Sequence, residues 1–198
     1  ARRKLKLPPN DLIVTIVGRL DPIKDHLTFL EAANIVNRQL PSVKFLIVGS
    51  TLGDFSGRKN DYWAQIKNYL GASHSLAKNV AFSGFIEAMA PVYQASDILV
   101  STSHSESFGM SLLEAASCQI PIVSTKTSSQ HLIIKNGKTG FLVGPERPNI
   151  TAQKILTLLK TPKMRRQFGR QARVHIKKNF NLENFVLKVQ SVYLETRM

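Results

Sequence analysis

Hydrophobic positions along this chain alternate between short unbroken runs and longer stretches in which they recur every three or four residues. Residues 12–17 (LIVTIV), 45–48 (FLIV), 80–82, 98–100, 120–124 (IPIVS) and 141–143 are of the first kind. Runs this short, apolar throughout and rich in β-branched residues, predict strands buried on both faces. Between them, Leu27, Leu30, Ala33 and Val36 give 25–39 an inward helical stripe. Trp63, Ile66 and Leu70 do the same for 62–70, and brief helices are expected at 91–95 and 110–116. The C-terminal part reads as three helices: 150–160, 162–178 with Pro in its first turn, and Leu182–Glu195. Strands alternating with helices predict an α/β fold built on a doubly wound parallel sheet. Ligands of such sheets sit beyond the carboxyl ends of the strands. The loops that stand out here all follow strands: 18–24, 49 onward, 83–86 and 101–109.

The stretch 101–116 (STSHSESFGMSLLEAA) joins an apolar strand to a helix through a polar loop closed by Gly109. In that geometry the loop amides and the opening helical N–H groups, about Phe108 to Ser111, point at an anion. Glu106 in the loop and Glu114 in the helix bracket the spot. A phosphate flanked by two hydroxyl-seeking carboxylates describes a sugar nucleotide. After the first strand come Gly18, Arg19 and, five residues on, Lys24. Glycine lets backbone approach a phosphate, and an Arg with a Lys supplies two cations for a diphosphate, the Arg as a bidentate fork.

Charge sharpens the picture. The 198 residues include 27 Lys and Arg against 13 Asp and Glu, a net +14, which implies an anionic partner or surface: nucleic acid, phosphorylated ligand or acidic lipid headgroups. One basic helix, 162–178, sets Met164, Phe168, Ala172 and Ile176 on one face and Lys163, Arg166, Arg170, Arg173 and Lys177 in a stripe. Such a helix either docks its apolar face on the sheet or lies on an anionic membrane. The single Cys118 excludes an internal disulfide framework. Neither a membrane span nor the apolar core of a signal peptide is visible, so a cytoplasmic protein, with possible peripheral membrane contact, is expected. The Asn149-Ile150-Thr151 sequon is taken as chance. The basic lead-in 1–10, ending in Pro8-Pro9, reads as a linker from something larger, leaving 11–198 as the domain.

Glu106-x₇-Glu114, with Ser107-Phe108-Gly109 after the first Glu, resembles the E-x₇-E element of group 1, family 4 type retaining glycosyltransferases of GT-B fold. Gly18-Arg19-Leu20-x₃-Lys24 resembles their diphosphate motif, and Ser83-Gly84-Phe85-Ile86 their strand end beside the nucleotide base. The resemblance covers about 11–194 and implies the C-terminal, donor-binding domain, which binds a nucleoside-diphosphate sugar. It implies catalytic roles for Arg19, Lys24 and Glu106, with Glu106 on the transferred sugar and Glu114 on the ribose. Gly18, Gly84, Phe85, Ile86, Ser107, Phe108, Gly109, Met110 and Ser111 would complete the donor site. It further implies an N-terminal acceptor domain absent from this chain, a glycan or lipid-linked acceptor, and a final helix that crosses back to that domain. The isolated domain would then be inactive. Two departures stand out. The family's Thr-x₂-Gly-Gly-x₂-Glu segment appears with Ser128, Ser129 and Leu132, and Gln119 replaces a Gly at the end of the central helix.

His104, two residues before Glu106, could reach the sugar pocket. The remaining histidines show no metal-ligand spacing, and no Asp-x-Asp pair is present to hold a cation under a diphosphate, so neither metal nor other cofactor is expected. No G-x-G-x-x-G, Walker loop or G-x-S-x-G elbow occurs. A nucleotide-sugar epimerase on the same scaffold and a basic nucleic-acid-binding module remain the alternatives. The second is disfavoured, because the aromatic residues sit mostly in core patterns rather than where bases could stack.

Overall fold

The apolar runs pair as parallel strands because the central ones have two hydrophobic faces to bury, whereas the run at 80–82, at a sheet edge, is only partly covered. In a computed structural model, which describes residues 1–51 and 61–195, they are β1 (Ile13–Val17), β2 (Lys44–Val48), β3 (Val80–Gly84), β4 (Ile98–Ser101), β5 (Ile122–Thr125) and β6 (Gly140–Val143). They form one six-stranded sheet in the order β3-β2-β1-β4-β5-β6, with every pairing parallel. The doubly wound expectation holds. In register, Thr15 stands beside Leu46 and Leu99, and Val100 beside Val123.

Successive side chains of each strand enter different layers. Val14, Ile16, Phe45, Ile47, Ile98 and Val100 pack with α1 (His26–Gln39) and α7 (Pro148–Lys160). On the opposite face Leu99 and Ile122 pack with α5 (Met110–Ser117) and α8 (Pro162–Asn179), while Ile13, Leu46 and Val48 pack with α4 (Ala90–Ala95). Burying these side chains, at about 25 cal/mol per Å² of apolar surface, contributes most to holding the layers together. Among the described residues α2 (Asp61–Ala72), α3 (His74–Ala77) and α6 (Gln130–Ile133) complete the helical layers, and α9 (Leu182–Glu195) ends the chain. The polar loop expected from 49 to 60 falls, from 52 on, outside the described residues.

Residues 1–10, which the composition presents as a linker, are packed onto the domain. Leu7 is buried against Ile13, Leu46 and Val92, and Arg2 donates to the carbonyls of Pro9 and Asp11 while pairing with Asp97 at 2.9 Å. The Leu5-x-Leu7 pair supplies apolar anchors that a basic composition masks. The basic helix α8, for its part, docks its apolar side, with Phe168, Ala172 and Ile176 in the core and Lys163, Arg166, Arg170, Arg173 and Lys177 facing outward. By contrast α9 leaves Leu182, Phe185, Leu187, Tyr193 and Leu194 exposed.

Candidate functional site

Strand order decides where a site can form. The chain leaves β1 toward β2 on one side and β4 toward β5 on the other, so the crevice between the carboxyl ends of β1 and β4 is the topological switch point. The loops carrying Gly18, Arg19 and Lys24, and Glu106 to Gly109, are the two that open there.

The first loop is built for close approach. Gly18 N–H donates to Val48 O, and a Cβ on Gly49, whose φ is +143°, would lie 1.9 Å from Gly18 O. Only glycine fits at 49. A Cβ on Gly18 would lie 3.3 Å from Lys24 Cγ, so the absent side chain makes room for the lysine stem. Asp21 caps the short 3-10 turn Pro22–Lys24 by accepting from Ile23 N–H, and Asp25, at φ +48°, caps α1 by accepting from Thr28 N–H. Arg19 is exposed at the loop mouth. Beneath the turn, His26 is wholly buried, and burial lowers its pKa to about 4, against an opposing pull from Asp25. It is neutral at pH 7.

The second loop is tied to the first. Thr102 Oγ1 donates to Asp25 O at 2.7 Å, and His104 N–H to Ile23 O at 2.9 Å. These bonds bring Lys24 Nζ to 2.6 Å from Glu106 Oε2, a half-buried ion pair between residues 82 apart in sequence. Gly109, at φ +88°, opens α5 with no side-chain cap. A Cβ there would lie 3.0 Å from Leu112 Cδ1 and 3.6 Å from Glu106 Cγ, which places the loop carboxylate beside the helix opening. The helix start has no side-chain cap and carries a partial positive charge, and the Lys24–Glu106 pair stands beside it, an arrangement chemically able to hold an anion.

Glu114 is fixed by Tyr93, whose hydroxyl donates to Oε2 at 2.6 Å. Burial first, and the carboxylate second, push the Tyr93 phenol far above its ordinary range, so it remains a donor. Gly84 stands at the carboxyl end of β3 with φ +69°, and its carbonyl accepts from Gly49 N–H at 2.9 Å. Phe85 is exposed beside it and Ile86 is half-buried. That strand end is therefore linked to Gly18 through Gly49. Ser107 is exposed, whereas Phe108 and Met110 turn their side chains toward an apolar cleft of about 600 Å³ shared with Leu113, Phe180, Leu182 and Phe185. Only the backbones of Phe108 and Met110 remain for the anion site. His104 faces carboxylates, with Nε2 3.6 Å from Asp25 Oδ2 and Nδ1 3.7 Å from Glu146 Oε1. Among the described residues no group of three His, Cys, Asp or Glu could hold a metal, and no helix is long and apolar enough to cross a membrane.

The residues expected to act together do share one edge of the sheet. Tyr93 is an addition that sequence reasoning misses, since nothing in a six-residue helix 21 positions upstream marks it as a partner of Glu114. The family's double-glycine segment, here Ser128 and Ser129, lies against the Glu106 loop, and Gln119 adopts the left-handed φ of +62° that explains a glycine there.

A family model for "Glycosyl transferases group 1" matches residues 1–175. The chain belongs to the group 1 glycosyltransferases. It is 32% identical over 188 residues to the D-inositol 3-phosphate glycosyltransferase of Rhodococcus erythropolis, covering 93% of this chain and 41% of that protein. It thus spans about two fifths of the length of that curated relative. Of solved structures, the C-terminal domain of the group 1 protein LpcC from Francisella tularensis superposes with a TM-score of 0.81 at 25% identity, covering 91% of each chain. A mutant of S. aureus TarM in complex with fondaparinux, alpha-GlcNAc-glycerol and UDP superposes with a TM-score of 0.81 at 25% identity, covering 94% of this chain and 36% of that one. In this group 1 glycosyltransferase domain of GT-B type, Lys24 pairs with Glu106, Glu114 pairs with Tyr93, and Arg19 is exposed on the loop that carries Lys24.

Proposed function

We propose that this domain binds a nucleoside-diphosphate sugar, with UDP the favoured nucleotide, for transfer of the sugar with retention of configuration. The observation that carries the reading is the Lys24–Glu106 pair beside the uncapped start of α5 at the switch point. In this pair each charge answers the other. A sugar nucleotide separates their tasks: Lys24, Arg19 and the amides of 108–111 take the diphosphate, and Glu106 accepts from sugar hydroxyls. Glu114, already held by Tyr93, accepts from the ribose. Backbone near Gly84 and Ile86 lines the base.

Charge develops on the departing nucleoside diphosphate as the glycosidic bond breaks. Donors and cations fixed before reaction stabilise that charge by about 3–4 kcal/mol each, or ~10²–10³-fold in rate. Lys24, Arg19 and the helix terminus would fill this role without a metal. The acceptor, a glycan or lipid-linked sugar, would bind a further domain, against which the exposed apolar side of α9 would pack. Seven basic and no acidic side chains on α8 suit contact with anionic lipid, which sedimentation with phosphatidylglycerol vesicles tests. Such peripheral contact would place the enzyme on the cytoplasmic side of a membrane.

Titration calorimetry with UDP and GDP, with and without EDTA, tests the site. Micromolar UDP binding, unaffected by EDTA, is expected, with a loss of ~10–100-fold in Arg19→Ala, the scale of a charge-assisted hydrogen bond. Parent-like affinity in that variant, with the fold intact, removes the clamp.

A further inference from the structure

Three hydroxyls, from the last residue of β5 and the segment after it, meet the Glu106 loop in sequence order. Thr125 Oγ1 donates to Ser103 O at 2.6 Å, Ser128 Oγ to Glu106 O at 3.2 Å, and Ser129 Oγ to Phe108 O at 3.3 Å. From the other side the same loop is held by Thr102 on Asp25 O, His104 N–H on Ile23 O, and Lys24 on Glu106. The loop is therefore clamped between two neighbouring segments. A glycine pair at 128 and 129 has no hydroxyl with which to make two of these six bonds.

We propose that Ser128 and Ser129 are positioning residues for the donor. Their hydroxyls fasten the carbonyls of Glu106 and Phe108, so that the Glu106 carboxylate and the first amides of α5 stand preset before a sugar nucleotide arrives. This rests on the reading of 106–111 as the donor loop. Ser-Ser in place of the family's Gly-Gly is thus a gain of loop order rather than a loss of donor contacts. A loop ordered in advance loses less freedom when ligand binds, and affinity rises accordingly. Two neutral hydrogen bonds make this worth roughly tenfold.

The test is the double variant Ser128→Ala/Ser129→Ala, compared with the parent in three measurements: UDP titration, amide hydrogen exchange across 104–111 without ligand, and thermal unfolding without ligand. UDP affinity roughly tenfold weaker, faster exchange confined to 104–111 and a melting temperature within a few degrees of the parent are expected. The double variant Ser128→Thr/Ser129→Thr, which keeps both hydroxyls, should restore affinity and protection. Affinity within twofold of the parent, or unchanged exchange at 104–111, overturns the proposal. Ser128→Ala alone, at an exposed position, keeps the test open should the double variant fold poorly, and should give a smaller effect of the same sign. A parent chain that binds no UDP overturns the donor reading instead, and is told apart because the exchange comparison uses no ligand.

Discussion

The two ends of α5 are made of the same device and put to opposite uses. Each is set by a residue in the left-handed region, Gly109 at φ +88° before the helix and Gln119 at φ +62° after it. At the C-terminal end the carbonyls are answered from within the chain. Ile120 N–H donates to Ala115 O, Gln119 N–H to Ala116 O, and Arg173 reaches Ser117 O at 2.8 Å. Gly169 of α8 closes over the turn. At the N-terminal end no side chain caps the helix, and Lys24 stands nearby. Helix ends carry four unsatisfied groups each, and an N-terminus without a side-chain cap, beside a lysine, is one that an anionic ligand can complete. Under the function proposed above, the closed end serves stability and the open end serves binding.

The largest effect that separates these roles is expected from Gly169→Ala. A Cβ there would lie 1.8 Å from Gln119 O and 2.7 Å from Gln119 C, backbone atoms that cannot swing aside. A loss of about 3 kcal/mol in urea unfolding is expected. UDP affinity, measured where the variant is still folded, should stay near that of the parent. A variant of parent-like stability would mean that the closed end yields easily, and the contrast between the ends would lapse.

Acid should act through the open end's side of the molecule. His26 lies under the turn that carries Lys24, and its folded pKa, lowered to about 4, is below the unfolded value of 6.5. Between those values the unfolded chain binds more protons, so stability rises with pH and falls as pH drops from 6.5 toward 4. The contribution lost by pH 5 is about 2 kcal/mol. His26→Phe, which keeps an aromatic ring against Tyr62, should flatten that slope in urea melts at about pH 7 and pH 5. An undiminished slope would assign the acid sensitivity to other groups.

Gly109→Ala sharpens the comparison from the binding side. The added Cβ meets mainly the flexible tip of Leu112, so the cost is one of backbone conformation, about 1–2 kcal/mol. Either the turn shifts or the strain is borne. A shifted turn re-aims the opening amides and moves Glu106, and UDP should bind at least tenfold more weakly by calorimetry. Unchanged affinity would show that the start of α5 does not touch the ligand.

Much of this is legible in the sequence, and the limits are physical. Six short, predominantly apolar runs predict six strands, because the strands of a covered parallel sheet carry few polar positions to blur the pattern. The short helices α3 and α6, of four residues each, escape such reading because one turn shows no period. The packing of residues 1–10 is hidden because two leucines among four basic residues give a linker's composition, while the bonds of Arg2 to Asp11 O and Asp97 depend on the folded partner. At the candidate site, Arg19, Lys24, Glu106 and Glu114 can be singled out from sequence because each belongs to a local motif. The contacts of Tyr93, Ser128 and Ser129 cannot. Their partners lie about twenty residues away across a loop, and no spacing encodes a contact of that kind.

The smallest effect, Gln119→Gly, bears on the closed end alone. A non-glycine residue in the left-handed region carries a conformational cost of about 1–2 kcal/mol, and glycine there instead carries the larger entropy of the unfolded chain, about 0.5–1 kcal/mol. The balance favours glycine by about 0.5 kcal/mol, read as a small rise in the urea midpoint at unchanged slope. Gln119 is exposed and its carbonyl, not its side chain, meets Gly169, so the substitution removes little else. UDP affinity should not move. A fall in stability would show that the Gln119 side chain contributes more than its exposure suggests. A change in UDP affinity would show that the two ends of α5 are coupled, and the division between a stabilising end and a binding end would then be too sharp.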